Sequence, residues 1–128
     1  MTQTIASIAL LVPDYDAGIA FYVDIMGFDL IEDTKLSETK RWVRVAPKGA
    51  QTALLLAQAD GAAQQAAIGN QTGGRVGFFL HTDDFERDHA AMLAKDVTFR
   101  EAPRYEAYGT VAVFEDPFGN LWDLIEPK

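Results

Sequence analysis

The chain has 128 residues, of which 48% are apolar and 23% charged, with 10 glycines, 5 prolines and no cysteine. These values are typical of one globular domain, here residues 1–128, and the lack of cysteine excludes disulfides, thiolate metal sites and cysteine nucleophiles. The 19 acidic and 11 basic residues give a net charge of −8 without a basic patch, so we expect no nucleic-acid partner.

The chain begins with an apolar run over residues 5–12, IASIALLV, that stops at Pro13-Asp14. This pattern predicts a buried strand that ends in a turn. The run is too short to span a membrane, and no positive charge precedes it as in a signal peptide. We therefore expect a cytoplasmic protein with no membrane partner.

The rest of the first half predicts one helix and three strands. Asp14 or Asp16 can cap a helix over residues 17–26, which Gly27 ends. Strand patterns follow over residues 28–33, 41–47 and 52–58. The first half is thus βαβββ.

Residues 59–74 lose the strand pattern, carry Ala and Gln at helical spacing, and end in Thr-Gly-Gly. This composition indicates a connector with room for one short helix. The sequence therefore predicts a first module over residues 1–58, a linker over 59–74 and a second module over 75–128.

The second half repeats the same order of elements. A strand pattern covers residues 75–82, and Asp83 with Glu86 has the form of a capping box for a helix that ends near Lys95. Three further strand patterns cover residues 97–101, 109–115 and 120–126, the last two joined by a Pro- and Gly-containing turn. The chain is predicted to contain two βαβββ units.

Several short motifs occur along the chain, and their order and spacing are informative. They are Val12-Pro13-Asp14, Ala20-Phe21-Tyr22, Met26-Gly27-Phe28, Thr82-Asp83-Asp84-Phe85 and Phe114-Glu115-Asp116-Pro117-Phe118-Gly119-Asn120 with Leu124. Together they resemble the vicinal oxygen chelate superfamily, which includes glyoxalase I, bleomycin- and fosfomycin-resistance proteins and extradiol dioxygenases. The resemblance covers nearly the whole chain.

The resemblance implies an α+β fold in which two βαβββ modules curl mixed sheets around a cavity. It also implies that enzymatic members hold a divalent metal there, as a Lewis acid, on the first and last strands of each module. The motifs align those four positions with Ser7, Leu56 (uncertain by one residue), Gly77 and Asp123. Only Asp123 is a good metal ligand, so we expect no metal cofactor.

Strand alternation gives the expected composition of the cavity instead. The predicted cavity face is mostly apolar with a few polar points, as in small-molecule pockets. Its members are Ser7, Ala9, Leu54, Leu56, Gln58, Gly77, Phe79, His81, Leu121, Asp123 and Ile125.

Two residues in this set could carry proton transfer. Asp123 lies between Trp122 and Leu124 in an apolar strand, where a carboxylate needs a partner or serves a site. It could pair with Arg41, Arg44 or a hydroxyl, or act as ligand anchor or general base. His81 could transfer protons near neutral pH, or simply end its strand in a hydrogen-bonded turn.

Aromatic and cationic residues offer further candidates for ligand binding. Arg41 and Arg44 point to opposite faces of their strand, so at most one enters the cavity. If Arg44 does so with Trp42, the pair could bind an anionic planar ligand. Tyr108 lies at the entry to a strand, in a loop that could close over a ligand or form a packed turn.

Three functions remain open. The first is a metal-independent protein that binds a small organic molecule, cationic or neutral, as in resistance or sequestration. The alternative is an enzyme, a lyase or isomerase of glyoxalase type or a dioxygenase-like protein, with a rearranged metal site or metal-free Asp123 and His81 chemistry. The third is a regulatory module whose cavity is vestigial. The resemblance also implies a homodimer.

Overall fold

A computed structural model describes residues 2–128 of the chain. The chain divides into two compact units, one ending at Ile68 and the other beginning at Gly69. The boundary lies within the segment predicted to connect two modules.

The first unit contains one four-stranded sheet. Its elements are β1 (Ser7–Val12), α1 (Tyr15–Ile19) with a π-helical continuation (Ala20–Ile25), β2 (Asp29–Lys35), β3 (Arg41–Ala46), β4 (Ala53–Gln58) and α2 (Ala62–Ala67). The strand order is β1-β4-β3-β2, with β1 parallel to β4 and the other pairs antiparallel.

Helix α1 is fixed at its start by one side chain and on its inner face by one glycine. Asp14, rather than Asp16, is the cap, since its carboxylate accepts a hydrogen bond from the Ala17 amide at 2.7 Å. A Cβ at Gly18 would lie 2.9 Å from Cδ1 of Leu56 and 3.2 Å from Cγ1 of Val12. The absence of a side chain at Gly18 therefore lets α1 approach the face of the sheet that carries Leu56 and Val12.

The second unit contains a five-stranded sheet and one longer helix. Its elements are β5 (Phe78–His81), α3 (Phe85–Ala94), β6 (Thr98–Phe99), β7 (Arg104–Glu106), β8 (Gly109–Glu115) and β9 (Leu121–Pro127). The strand order is β5-β9-β8-β6, with β5 parallel to β9, and β7 also pairs with β8.

Aromatic side chains join α3 to one face of this sheet. His89 of α3 meets Phe99 edge to face, with ring centroids 4.5 Å apart. Phe99 lies 5.7 Å from Phe114, which stacks on Trp122 at 5.7 Å. Trp122 also stacks on Phe78 at 4.9 Å. These rings define the helix-covered face, and the intervening residues of β5, β8 and β9 point to the opposite face.

The turn between β8 and β9 is closed by a buried carboxylate. Asp116 accepts hydrogen bonds from the backbone amides of Phe118 at 3.0 Å and Asn120 at 2.8 Å. It also accepts one from the Asn120 side-chain amide at 2.7 Å. This satisfied network explains the Asp-Pro-Phe-Gly-Asn sequence as a structural turn.

The predicted α+β class is confirmed, and both units follow the βαβββ order, with one additional strand, β7, in the second. Two details were wrong. Asp84, not Asp83, caps α3: it is extended and accepts a hydrogen bond from the Arg87 amide at 3.1 Å, whereas the Asp83 carboxylate pairs with the Arg87 side chain. Strand β7 was missed because the pattern around residues 102–108 predicts a loop.

No helix in residues 2–128 is long and apolar enough to span a bilayer.

Two glycines of the connecting segment give a matched test of how closely this segment packs against the β8–β9 turn. Gly69 and Gly73 have nearly the same left-handed backbone, with φ of 71° and 74°. A Cβ at Gly69 would overlap the Phe118 carbonyl, whereas at Gly73 it would meet nothing within 4 Å. We expect Gly73→Ala to lower the free energy of unfolding by about 1–2 kcal/mol through backbone strain. Gly69→Ala should lower it by at least about 1 kcal/mol more, because the β8–β9 turn must move.

Urea denaturation followed by circular dichroism measures both values. Equal losses in the two variants would contradict the close approach of Gly69 to the Phe118 backbone.

Candidate functional site

The face of the second sheet opposite α3 carries the most distinctive group of the molecule. Asp123 of β9 is the register partner of Phe79 on β5 and of Val113 on β8. Its chain neighbours Trp122 and Leu124 are buried on the helix-covered side. Alternation therefore directs the carboxylate onto a face formed mainly by apolar side chains.

The cost of burying the Asp123 carboxylate is only partly offset by neighbouring groups. Its Oδ1 is buried and has no hydrogen-bond partner, the one such side-chain atom in residues 2–128. Burial raises the pKa of Asp123, while attraction to Arg104 opposes the rise and repulsion from Glu101 adds to it. The net direction is upward, so desolvation outweighs the attraction of the nearby guanidinium.

Arg104 is held by other acceptors. Its Nε donates to both carboxylate oxygens of Glu101, at 2.6 and 3.1 Å, and its Nη1 donates to Glu106 at 3.2 Å. Hydrogen bonds to Glu101 and then Tyr108 raise the pKa of Arg104 above its ordinary value. The predicted ligand-binding residue Tyr108 is thus an exposed member of this polar group.

The other predicted residues of the second unit lie along β5. Phe79 is 57% exposed beside Asp123. His81 is exposed and pairs in register with Ile125, one alternate position from Asp123. Gly77 precedes β5, and its amide donates to the Leu121 carbonyl at 3.2 Å.

The face of the first sheet opposite α1 carries a second polar group. Arg44 Nε donates to the Ser7 hydroxyl at 2.9 Å, and Nη1 lies 3.9 Å from the Glu32 carboxylate. Trp42, two residues before Arg44 on β3, shares this face and is 38% exposed. Of the two arginines left open by the sequence, Arg44 is therefore the one opposite α1.

The predicted placement of Leu54, Leu56 and Gln58 on this face is wrong. The register pairs Ala9 with Leu55 and Leu10 with Leu56, so Leu55 shares the face of Ser7. Leu56 is 1% exposed beneath α1. Gln58, the register partner of Val12, also lies on the α1 side. A shift of one residue in an extended strand reverses every side chain, and the apolar run ALLLA carries no polar marker to fix its phase.

Arg41 organises a separate group on the α1 side that the sequence did not predict. Its guanidinium donates to Asp33 at 2.7 and 3.1 Å and to Asp16 at 2.9 Å, and lies 5.3 Å from the Tyr15 ring centroid. Hydrogen bonding to Arg41 lowers the pKa of Asp33. A pocket of about 460 Å³ adjoins this group and is lined by Tyr15, Lys35, Ser37, Glu38, Thr39, Arg41 and Gln58.

The described residues 2–128 contain no group of three or more His, Cys, Asp or Glu placed to hold one metal ion. At the aligned ligand positions, Gly77 has no side-chain donor. The Ser7 hydroxyl already accepts a hydrogen bond from the Arg44 guanidinium.

Comparison with known proteins agrees with the motifs. The chain belongs to the Glyoxalase/Bleomycin resistance protein/Dioxygenase superfamily, whose sequence profile matches residues 4–124. An uncharacterized protein of Shewanella frigidimarina is 54% identical over 128 residues, covering 98% of this chain and 95% of the relative. The superfamily predicted from the sequence is thereby confirmed.

Solved structures give the same result. TnmS3, an antibiotic binding protein from Streptomyces sp. CB03234, is 31% identical with a TM-score of 0.80, covering 99% of this chain and 98% of that one. A superfamily member from Sphaerobacter thermophilus is 28% identical with a TM-score of 0.79, covering 98% of each chain.

The electrostatics of Asp123 predict an unusual effect on stability. A raised pKa means that the folded state holds the proton more tightly than the unfolded state, so this contribution to stability is greatest at low pH. It is lost as the pH rises through the folded-state pKa. We therefore expect Asp123→Asn to raise the free energy of unfolding at pH 7, by on the order of 1 kcal/mol. The gain should shrink as the pH falls toward the ordinary aspartate pKa of 3.8.

Asp33→Asn is the matched control with the opposite sign. The pKa of Asp33 is lowered by Arg41, so its contribution is present above the ordinary pKa and lost as the pH falls. This variant should lose stability at pH 7, by less than about 1 kcal/mol for a solvent-exposed pair. Urea titrations at pH 7 and pH 4 test both; a loss of stability in Asp123→Asn at pH 7 would refute the account of that carboxylate.

Proposed function

We propose that this protein binds a small organic molecule, without a divalent metal, on the sheet faces opposite α1 and α3. The observation that carries the proposal is the set of donors on those faces. The aligned positions offer one carboxylate, one hydroxyl engaged with an arginine, and residues without donors. Divalent catalytic sites generally use about three His or carboxylate ligands.

The positive charge of Arg44 strengthens this argument. The Ser7 hydroxyl lies 2.9 Å from the Arg44 Nε, so a cation at Ser7 would be repelled by the guanidinium. The residues at the aligned positions therefore do not fit a divalent ion.

The make-up of the faces supports binding of an organic molecule. Phe79 and Trp42 are exposed aromatic side chains, one on each sheet, and each lies close to a charged group. Ligand pockets are usually apolar surfaces with a few polar groups that fix orientation. The resemblance to TnmS3, an antibiotic binding protein that is 31% identical to this chain, points the same way.

A second candidate, metal-free lyase or isomerase chemistry, is favoured by one observation. The raised pKa of Asp123 is typical of a carboxyl group tuned for general acid or base catalysis. His81 does not pair with Asp123 in the register, so Asp123 would act without that partner. Turnover of the hemithioacetal of methylglyoxal and glutathione, with and without added Ni²⁺ or Zn²⁺, tests the glyoxalase version.

Two further predictions accompany the binding proposal. We expect a homodimer, which sedimentation equilibrium measures directly. We also expect a cytoplasmic location, which cell fractionation tests.

Ligand screening by NMR tests the proposed function. We expect members of a library of planar aromatic compounds to shift amide resonances of β5, β8 and β9, equally in EDTA and in added Ni²⁺. Phe79→Ala should weaken binding of those hits by about 2- to 10-fold, because an aromatic contact contributes about 0.5–1.5 kcal/mol beyond its buried area.

Leu93→Ala is the matched control, since Leu93 is an exposed apolar side chain on α3. It should leave binding unchanged. Hits that require the metal, or a library with no hit on either sheet face, would contradict the proposal.

A further inference from the structure

Asp123 carries a carboxylate oxygen that no group of the described chain hydrogen-bonds. Its Oδ1 is buried without a hydrogen bond, and such atoms are rare in folded proteins because desolvation is not repaid. The described residues supply one nearby cation, Arg104, whose Nε and Nη1 donate to Glu101 and Glu106. The acceptor capacity of Asp123 is therefore left for a group from outside the chain.

We infer that the ligand of the face opposite α3 carries a planar cationic group, an amidinium or guanidinium, that donates to the Asp123 carboxylate while its attached ring contacts Phe79. This inference rests on the proposed function and names the chemical class of its ligand. No part of it requires a metal ion.

The surrounding charges favour a cation over a neutral or anionic group. Asp123 lies near Glu101 and Arg104, and Arg104 is paired with two carboxylates, those of Glu101 and Glu106. With Asp123 ionised, these four groups carry three negative charges and one positive charge. A bound cation would thus meet an excess of negative charge, whereas an anion would meet repulsion from the same groups.

The geometry favours a flat, forked donor. Two parallel N–H groups match the two oxygens of one carboxylate, which a single ammonium cannot do. Because Oδ1 is buried, binding of both N–H groups requires a partial rotation about the Cβ–Cγ bond of Asp123, a torsion that is soft in aspartates. Phe79, 57% exposed at the register position beside Asp123, provides a ring for stacking and for cation–π attraction.

Three probes that have nearly the same shape but different charge test whether the site selects a cation. Benzamidine is planar and cationic, benzamide is its neutral analogue, and benzoate is its anionic analogue. We expect benzamidine to bind with a dissociation constant on the order of millimolar, as befits so small a molecule, and to shift amides of β5 and β9. Benzamide should bind at least about 10-fold more weakly, and benzoate should show no binding.

Two variants that each remove one negative charge show whether the affinity for benzamidine depends on Asp123 in particular. Asp123→Asn keeps the shape of the side chain and should weaken benzamidine binding about 10-fold, since charge-assisted hydrogen bonds are lost. Asp29→Asn removes the same charge from an exposed position on β2 and should leave the affinity unchanged. Two-dimensional NMR titrations of the full chain measure all five affinities, three for the probes and two for the variants, and also report whether each variant is folded.

The outcomes distinguish this inference from the proposed function. Equal or tighter binding of benzamide or benzoate, or equal effects of the two aspartate variants, overturns the cationic ligand while leaving small-molecule binding intact. Failure of benzamidine to bind also overturns it, and library hits on the sheet faces would then still support the proposed function. Failure of both the probes and the library overturns both.

Discussion

The placement of the Asp123 carboxylate on a mainly apolar sheet face is the constraint on which the proposed chemistry of this molecule depends. Asp123 is placed by strand alternation between two buried side chains, so the same pleat that builds the core forces its carboxylate onto the opposite face. There its Oδ1 has no donor, and the nearby Arg104 donates to Glu101 and Glu106. Oδ1 of Asp123 is the one buried side-chain nitrogen or oxygen in residues 2–128 that has no hydrogen-bond partner.

The two sheets present different chemistry on their equivalent faces. In the first sheet the polar group centres on a guanidinium, that of Arg44, which donates to the Ser7 hydroxyl and pairs with Glu32. In the second sheet it is acidic, with Asp123 beside the Glu101–Arg104 pair. Neither group resembles a metal-ligand set, although the superfamily membership of the chain is plain. A shared fold therefore fixes where side chains can point and leaves the ligand to the individual residues.

Much of the fold could be predicted because the relevant signals are local. Apolar runs, a capping aspartate and a Pro-Gly turn each specify an element without knowledge of the rest of the chain. The phase of β4 could not be predicted, since a run of apolar residues has no polar position to mark its exposed side; this is why Leu56 was placed on the face that Leu55 occupies. The hydrogen bond from Arg104 to Glu101 could not be predicted either. Arg104 lies on the short strand β7, and the pairing of β7 with β8 has no local signature in the sequence. Asp123 was found because a carboxylate within an apolar strand is itself a signal.

The pKa of Asp123, followed through its carboxyl carbon by NMR with and without saturating benzamidine, tests the central claim most directly. In the free protein we expect a pKa above the ordinary value of 3.8, because burial opposes ionisation. On binding, the pKa should fall, because the cation stabilises the charged carboxylate. An ordinary pKa in the free protein, or one that does not move when benzamidine binds, would contradict the account of Asp123 as a ligand anchor.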